Sequence, residues 1–181
     1  MGNIILDSKI KQLLELNKKT ETYTSTYTFS FIYYNQKTNE LVSTNGRNLV
    51  IINIKPTGFI PKQLDIELKT GFYKFVGDFF VKAEIENNKK FVDYEMIIPE
   101  GDIICDENIF KGVLICMAKT NKILNIWNDI KGLKGIEKSL KILNKLNWSW
   151  KFISPSPESP VMAFMENKEY KIKFITMPMP M

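Results

Sequence analysis

An α+β fold built on antiparallel sheets is predicted for this chain by three features of its sequence. A helical pattern opens it, alternating β-rich runs parted by short polar turns follow, and strand-like runs return after a less regular middle. A parallel sheet would instead need a crossover between successive strands. The 181 residues, 44% hydrophobic and 12% aromatic, suffice for one sizeable domain or two small ones with real cores.

Behind the N-cap candidates Asp7 and Ser8, the apolar Ile10, Leu13, Leu14 and Leu16 recur at helical spacing up to Lys19, which predicts a short amphipathic helix. Gln12 to Leu16 and Gln63 to Ile66 faintly resemble linear docking peptides but fall inside predicted elements. The run TSTYTFSFIYY alternates as a strand does, QKTNE reads as a hairpin turn, and LVSTNGRNLVIINI as two strands about a turn at Asn45 and Gly46. LDIEL and YKFVGDFFVKAEIE are expected as two further hairpin arms, the second closing on ENNKK. Beyond Pro99, DENIFKGVLICMAKTNKILNIWNDI has spacing compatible with one or two helices, and IEKSLKILNKL predicts another. WSWKFIS, PVMAFM and EYKIKFITMPM predict three closing strands around the turns SPSPESP and ENK.

Composition narrows the chemistry. The chain has no histidine, which removes the commonest general base and the usual nucleophile triads, and Cys105 and Cys116 alone make neither a zinc site nor a disulfide scaffold. Asp78, Asp93 and Glu95 could be paired as carboxylates, yet nothing around them supplies a nucleophile, a metal partner or a phosphate-cradling loop. The expectation is a protein that is not an enzyme and needs no metal or cofactor. Apolar runs such as NLVIINI and GVLICMA are far shorter than a membrane span, and MGNIILDSK carries charges where a secretory core would have none. Position 6 is Leu6 where a myristoylation signal needs Ser or Thr, so a cytoplasmic protein without membrane contact is expected.

Two features suggest partners. In the predicted helix Lys134, Lys138, Lys141 and Lys145 form a single cationic stripe, with Ile136, Leu140 and Leu143 turned the other way, on a chain of net charge +5. Because Arg47 is the only arginine, bidentate base readout is not expected, and any nucleic acid would be held by its phosphates. The second feature is the apolar close Met177, Pro178, Met179, Pro180 and Met181. Its prolines cannot complete an interior strand and its flexible methionines suit an adaptable surface, so it reads either as an edge strand finishing against the core or as the wall of a receiving groove.

Four strings, taken together and in order, resemble the bacterial β-type sliding clamp, the processivity factor of replicative DNA polymerase. STNGRNLVIINI is similar to the family's A-T-D-G-H-R-L strand turn, and VGDFFVKAEIENNKKFVDYEMIIP to the end of its middle domain with the linker F-P-D-Y-x-x-V-I-P. The basic helix with WSWKF and PVMAFM looks like the second half of its last domain, and YKIKFITMPMPM like its terminal strand. The resemblance implies a DNA-clamp-like α+β fold with a few amphipathic helices on one side of antiparallel sheets. Residues 1–97 would correspond to the middle domain without its second helix, and 98–181 to a shortened C-terminal domain.

Clamps encircle duplex DNA, tether polymerase to it, and receive partner peptides in an apolar pocket between their last two domains. Carried over by position, that pocket would comprise Phe29, Thr44, Gly46, Leu49, Ile97, Ile175, Met177, Pro178 and Met179, and the DNA-facing residues would be Lys134, Lys138, Lys141 and Lys145. The implied partners are peptides of replicative polymerase and clamp loader, and double-stranded DNA through phosphate contacts. The chain departs from the pattern at Arg47-Asn48-Leu49, at Val92 in place of the linker proline, at Met96 in place of a basic residue, and at Lys138 where a pocket tyrosine is usual. The family's subunit has three domains and this chain has room for at most two shortened ones, so the usual dimeric ring cannot form. A higher homo-oligomer, an accessory joined to another clamp, and a monomer keeping only the peptide pocket remain open. The alternative function is therefore a clamp-derived peptide-binding module or decoy that does not encircle DNA.

Overall fold

One antiparallel sheet gathers strands from both ends of the chain. The computed structural model describes residues 4–5, 8–18, 26–55, 68–101, 138, 142, 150–153 and 160–176. These form β1 (Ile4–Ile5), α1 (Ser8–Leu16), β2 (Ile32–Asn35), β3 (Glu40–Thr44), β4 (Asn48–Ile54), β5 (Gly71–Val76), β6 (Phe79–Lys82), β7 (Trp150–Ile153), β8 (Val161–Glu166) and β9 (Tyr170–Thr176). The strand order is β1-β6-β5-β2-β3-β4-β9-β8-β7, and each neighbouring pair is antiparallel.

The turns that set this order are built from local chemistry. Asn35, Asn45 and Asn167 each turn a side-chain oxygen onto backbone amides a few residues ahead, accepting from Lys37, from Arg47 and Asn48, and from Glu169 and Tyr170 respectively. Such short amide caps hold three of the hairpins in register. Gly46, at φ 88°, supplies the left-handed position that the β3–β4 turn needs.

At the centre β4 and β9 pair along their full lengths, from Asn48 opposite Thr176 to Ile54 opposite Tyr170. Side chains alternate across a strand, so this pairing sorts apolar residues to two faces. Val50, Ile52, Ile54, Ile172 and Phe174 enter a core with Ile10, Leu13 and Leu14 of α1 and with Ile142. Leu49, Ile51 and Ile175 enter a second cluster on the opposite face. The helix ends at Asn17, which is buried and donates its side-chain amide to the carbonyl of Leu13 at 2.8 Å.

Antiparallel strands and an amphipathic first helix agree with the expected α+β class. Two strand expectations are corrected. Among its described residues, from Thr26, TSTYTFSFIYY contributes a strand to the sheet only from Ile32, and residues 26–28 pair elsewhere: Lys90 donates to the Thr26 carbonyl at 2.8 Å and Thr28 to that of Lys90 at 3.1 Å. YKFVGDFFVKAEIE is not one hairpin arm but a complete hairpin, β5 and β6, folded at Gly77 and Asp78. Gly77 has φ 60° at the first central position, a geometry whose twist matches a tight hairpin, and Lys11 of α1 bonds both its carbonyl and Asp78. The helices expected after Pro99, apart from Lys138 and Ile142, and most of LDIEL lie outside the described residues.

Ile172 is fully buried at the middle of β9. Truncation to alanine, Ile172→Ala, is expected to lower the unfolding free energy by about 2–5 kcal/mol, read from the midpoint of urea denaturation.

Candidate functional site

The face away from α1 is crossed by the linker, residues 91–98. Phe91, Val92, Tyr94, Ile97 and Ile98 pack into the second apolar cluster, whereas Asp93, Glu95 and Met96 are exposed, Met96 at 84%. A short 3-10 turn, Glu95–Ile97, sets this alternation after Tyr94. Phe91 stacks on Tyr33 of β2 with ring centroids 4.9 Å apart and 7° between planes, and Phe72 of β5 meets Tyr33 edge-on at 5.5 Å.

Tyr94 fastens the linker to the sheet. Its hydroxyl accepts from Asn35 at 3.0 Å and donates to Glu40 at 2.9 Å, and the same carboxylate oxygen accepts from the Thr38 hydroxyl at 2.8 Å. Burial is the main reason that its ionisation is pushed up to about 12, with the Glu40 carboxylate acting in the same direction against the hydrogen bonds of Asn35 and Thr38.

Of the expected pocket residues that fall among those described, Leu49, Ile97 and Ile175 come from distant segments to one apolar cluster, with Thr44 beside them. Leu49 and Ile175 are cross-strand partners in β4 and β9, both are buried, and Ile97 of the linker packs on the same cluster. Thr44 stands opposite Leu49, and its hydroxyl donates to the Asn48 carbonyl at 2.7 Å and accepts from the Gly46 amide at 3.1 Å. A Cβ on Gly46 would lie 3.8 Å from the Phe29 ring. Thr44, Leu49 and Ile175 are thus closed floor rather than open wall. Met177, Pro178 and Met179 lie outside the described residues.

An open cleft of about 460 Å³ occurs elsewhere on this face, over β2 and β5, and is lined by Tyr33, Asn35, Phe72, Lys90 and linker residues from Phe91 to Glu95. None of the expected pocket residues lines it, and β3 separates its floor from β4 and β9 in the strand order. Phe91, Tyr94 and Tyr33 were not among the expected site residues. Their signal was present in the F-x-x-Y spacing of FVDY and in the aromatic density of FSFIYY.

Of the lysine stripe, Lys138 is described and exposed, while Lys134, Lys141 and Lys145 lie outside the described residues. Ile142, which the apolar set Ile136, Leu140 and Leu143 omits, is buried in the helix-side core. Asp78 is held by Lys11 at 2.8 Å, and that hydrogen bond lowers its ionisation below the usual carboxylate range. Among the described residues no group of carboxylates and cysteines could hold a metal ion, and no helix is long and apolar enough to cross a membrane. A scan of protein-family models finds no match to the chain, and a search of curated proteins finds none similar to it.

Replacing the linker anchor, Tyr94→Phe, leaves Asn35 and Glu40 short of a partner and is expected to cost about 1–3 kcal/mol in thermal or urea unfolding. The sign of the pH effect follows from the raised ionisation. Between pH 10, where an unfolded tyrosine ionises, and about 12 the folded state holds the extra proton, so stability falls as pH rises through that window. Tyr33 and Tyr73, whose ionisation is also raised, add to the fall in both proteins, so the parent should lose more stability than Tyr94→Phe does.

Proposed function

We propose that the chain is a reduced, non-enzymatic clamp-like protein of DNA replication, which binds short partner peptides in an apolar groove beside the linker, at the Leu49–Ile175 end of the β4–β9 pair. The observation that carries this is the two-sided division of the sheet. Helix α1 and Ile142 cover one face, and an extended linker crosses the other beside Leu49 and Ile175. A clamp needs such a division, with helices toward the DNA and peptides received outside. Leu49, Ile97 and Ile175, taken from three separate motifs, belong to one apolar cluster on the linker side, which supports this reading. The groove takes an extended peptide by apolar side chains, and its partners are the docking segments of replicative polymerase and clamp loader.

Among the described residues the sheet ends on the two-residue β1 at one edge and the four-residue β7 at the other. Copies joined through these edges would build a ring of more than two subunits, with the helix side toward duplex DNA and lysines contacting phosphates.

A labelled clamp-docking peptide titrated into the full chain tests the groove by fluorescence anisotropy. Deletion of residues 177–181 is expected to weaken binding at least about tenfold with the unfolding midpoint retained, and unchanged affinity would refute the assignment. For the DNA side, replacing Lys138, Lys141 and Lys145 by Glu is expected to weaken association with duplex DNA and flatten its dependence on salt. Light scattering with circular duplex DNA reads the assembly: a closed oligomer retained on the circle supports the ring, and a monomer that never associates with DNA contradicts it.

A further inference from the structure

The cleft over β2 and β5 has a chemistry unlike that of the peptide groove. Its floor is the Tyr33–Phe91 stack with Phe72 beside it, and its rim carries Lys90, Asp93 and Glu95. Neither rim carboxylate has a hydrogen bond or ion pair among the described residues, and both are exposed. Among the described residues the rim therefore has one negative charge in excess, on a chain whose net charge is +5.

We propose that this cleft is a second docking site, which takes an arginine- or lysine-bearing segment of a partner protein. Aromatic rings with free carboxylates beside them attract a cation in two ways, through the ring quadrupole and through direct charge pairing. A guanidinium suits the site better than an ammonium, since its planar fork can rest against a ring while its edge meets a carboxylate. Burial raises the ionisation of Tyr33, and the nearby Glu95 carboxylate acts in the same direction. Phosphate-bearing ligands are disfavoured by the rim carboxylates, so nucleic acid belongs to another face. The Tyr94 anchor supplies rigidity: it fixes the residue between Asp93 and Glu95 to β2 and β3, so the backbone that carries the two carboxylates is held in place before any ligand arrives. None of the residues expected in the peptide groove lines the cleft, and the proposal stands apart from the function proposed for that groove.

The test is a nuclear magnetic resonance titration of the full chain with a capped pentapeptide of alternating glycine and arginine, and with its citrulline analogue, which keeps the shape and loses the charge. Amide shifts are expected at Tyr33, Phe72 and residues 90–95, with the citrulline peptide at least about fivefold weaker. Substituting Asp93→Asn together with Glu95→Gln, two exposed changes, is expected to weaken the arginine peptide by at least about threefold at an unchanged unfolding midpoint. Deleting residues 177–181 should leave this binding intact. Equal binding of the two peptides, shifts confined to other surfaces, or full affinity in the doubly substituted protein would each overturn the proposal.

Discussion

The rest of the structure depends on the pairing of β4 with β9. These strands come from distant parts of the chain, and their seven registered pairs make one sheet of what would otherwise be two fragments. Closing so long a loop costs conformational entropy, and a long apolar pairing with both faces covered offsets that cost. Register matters here more than anywhere else. A slip of one residue would send Val50, Ile52 and Phe174 to the linker side and Leu49 and Ile175 to the helix side, undoing both clusters together.

From that register follows the two-sided character of the molecule. The helix-side face takes α1 through Ile10, Leu13 and Leu14, and the other face takes the linker through Phe91, Tyr94 and Ile97. An extended segment gains little from burying side chains alone, and the buried Tyr94 hydroxyl adds direction by bonding to β2 and to β3 at once. A covered centre and an open aromatic cleft result on the same face, separated by one strand. The functional proposals use both: the covered centre as the floor of an apolar peptide groove, the cleft as a seat for a cationic side chain.

Much of the fold was legible because its signals are local. Asn45 with Gly46 marks a turn by the bonds an asparagine side chain makes to the next amides, and the spacing of Ile10, Leu13 and Leu14 marks a helix without knowledge of what it packs on. Misreadings occurred where a distant partner decided the outcome. Thr26 and Thr28 bond to the backbone of Lys90 instead of a strand of the sheet, so β2 starts later than the pattern suggests. In YKFVGDFFVK the apolar residues run through Gly77 and Asp78 and mask a turn that only the glycine betrays. The same holds at the sites. Leu49 and Ile175 could be proposed as neighbours by resemblance, whereas Tyr33, Phe72 and Phe91 each look like an ordinary core aromatic until the sheet brings three segments to one cleft.

Native-state hydrogen exchange across a urea series tests most directly whether β4 and β9 form one cooperative centre. The slowest amides of the two strands are expected to open with the same free energy and the same urea dependence, which marks a single global unfolding. If β9 opened at distinctly lower free energy while β4 stayed protected, the two ends of the chain would be separate units, and the shared sheet could not be what organises the faces and their sites.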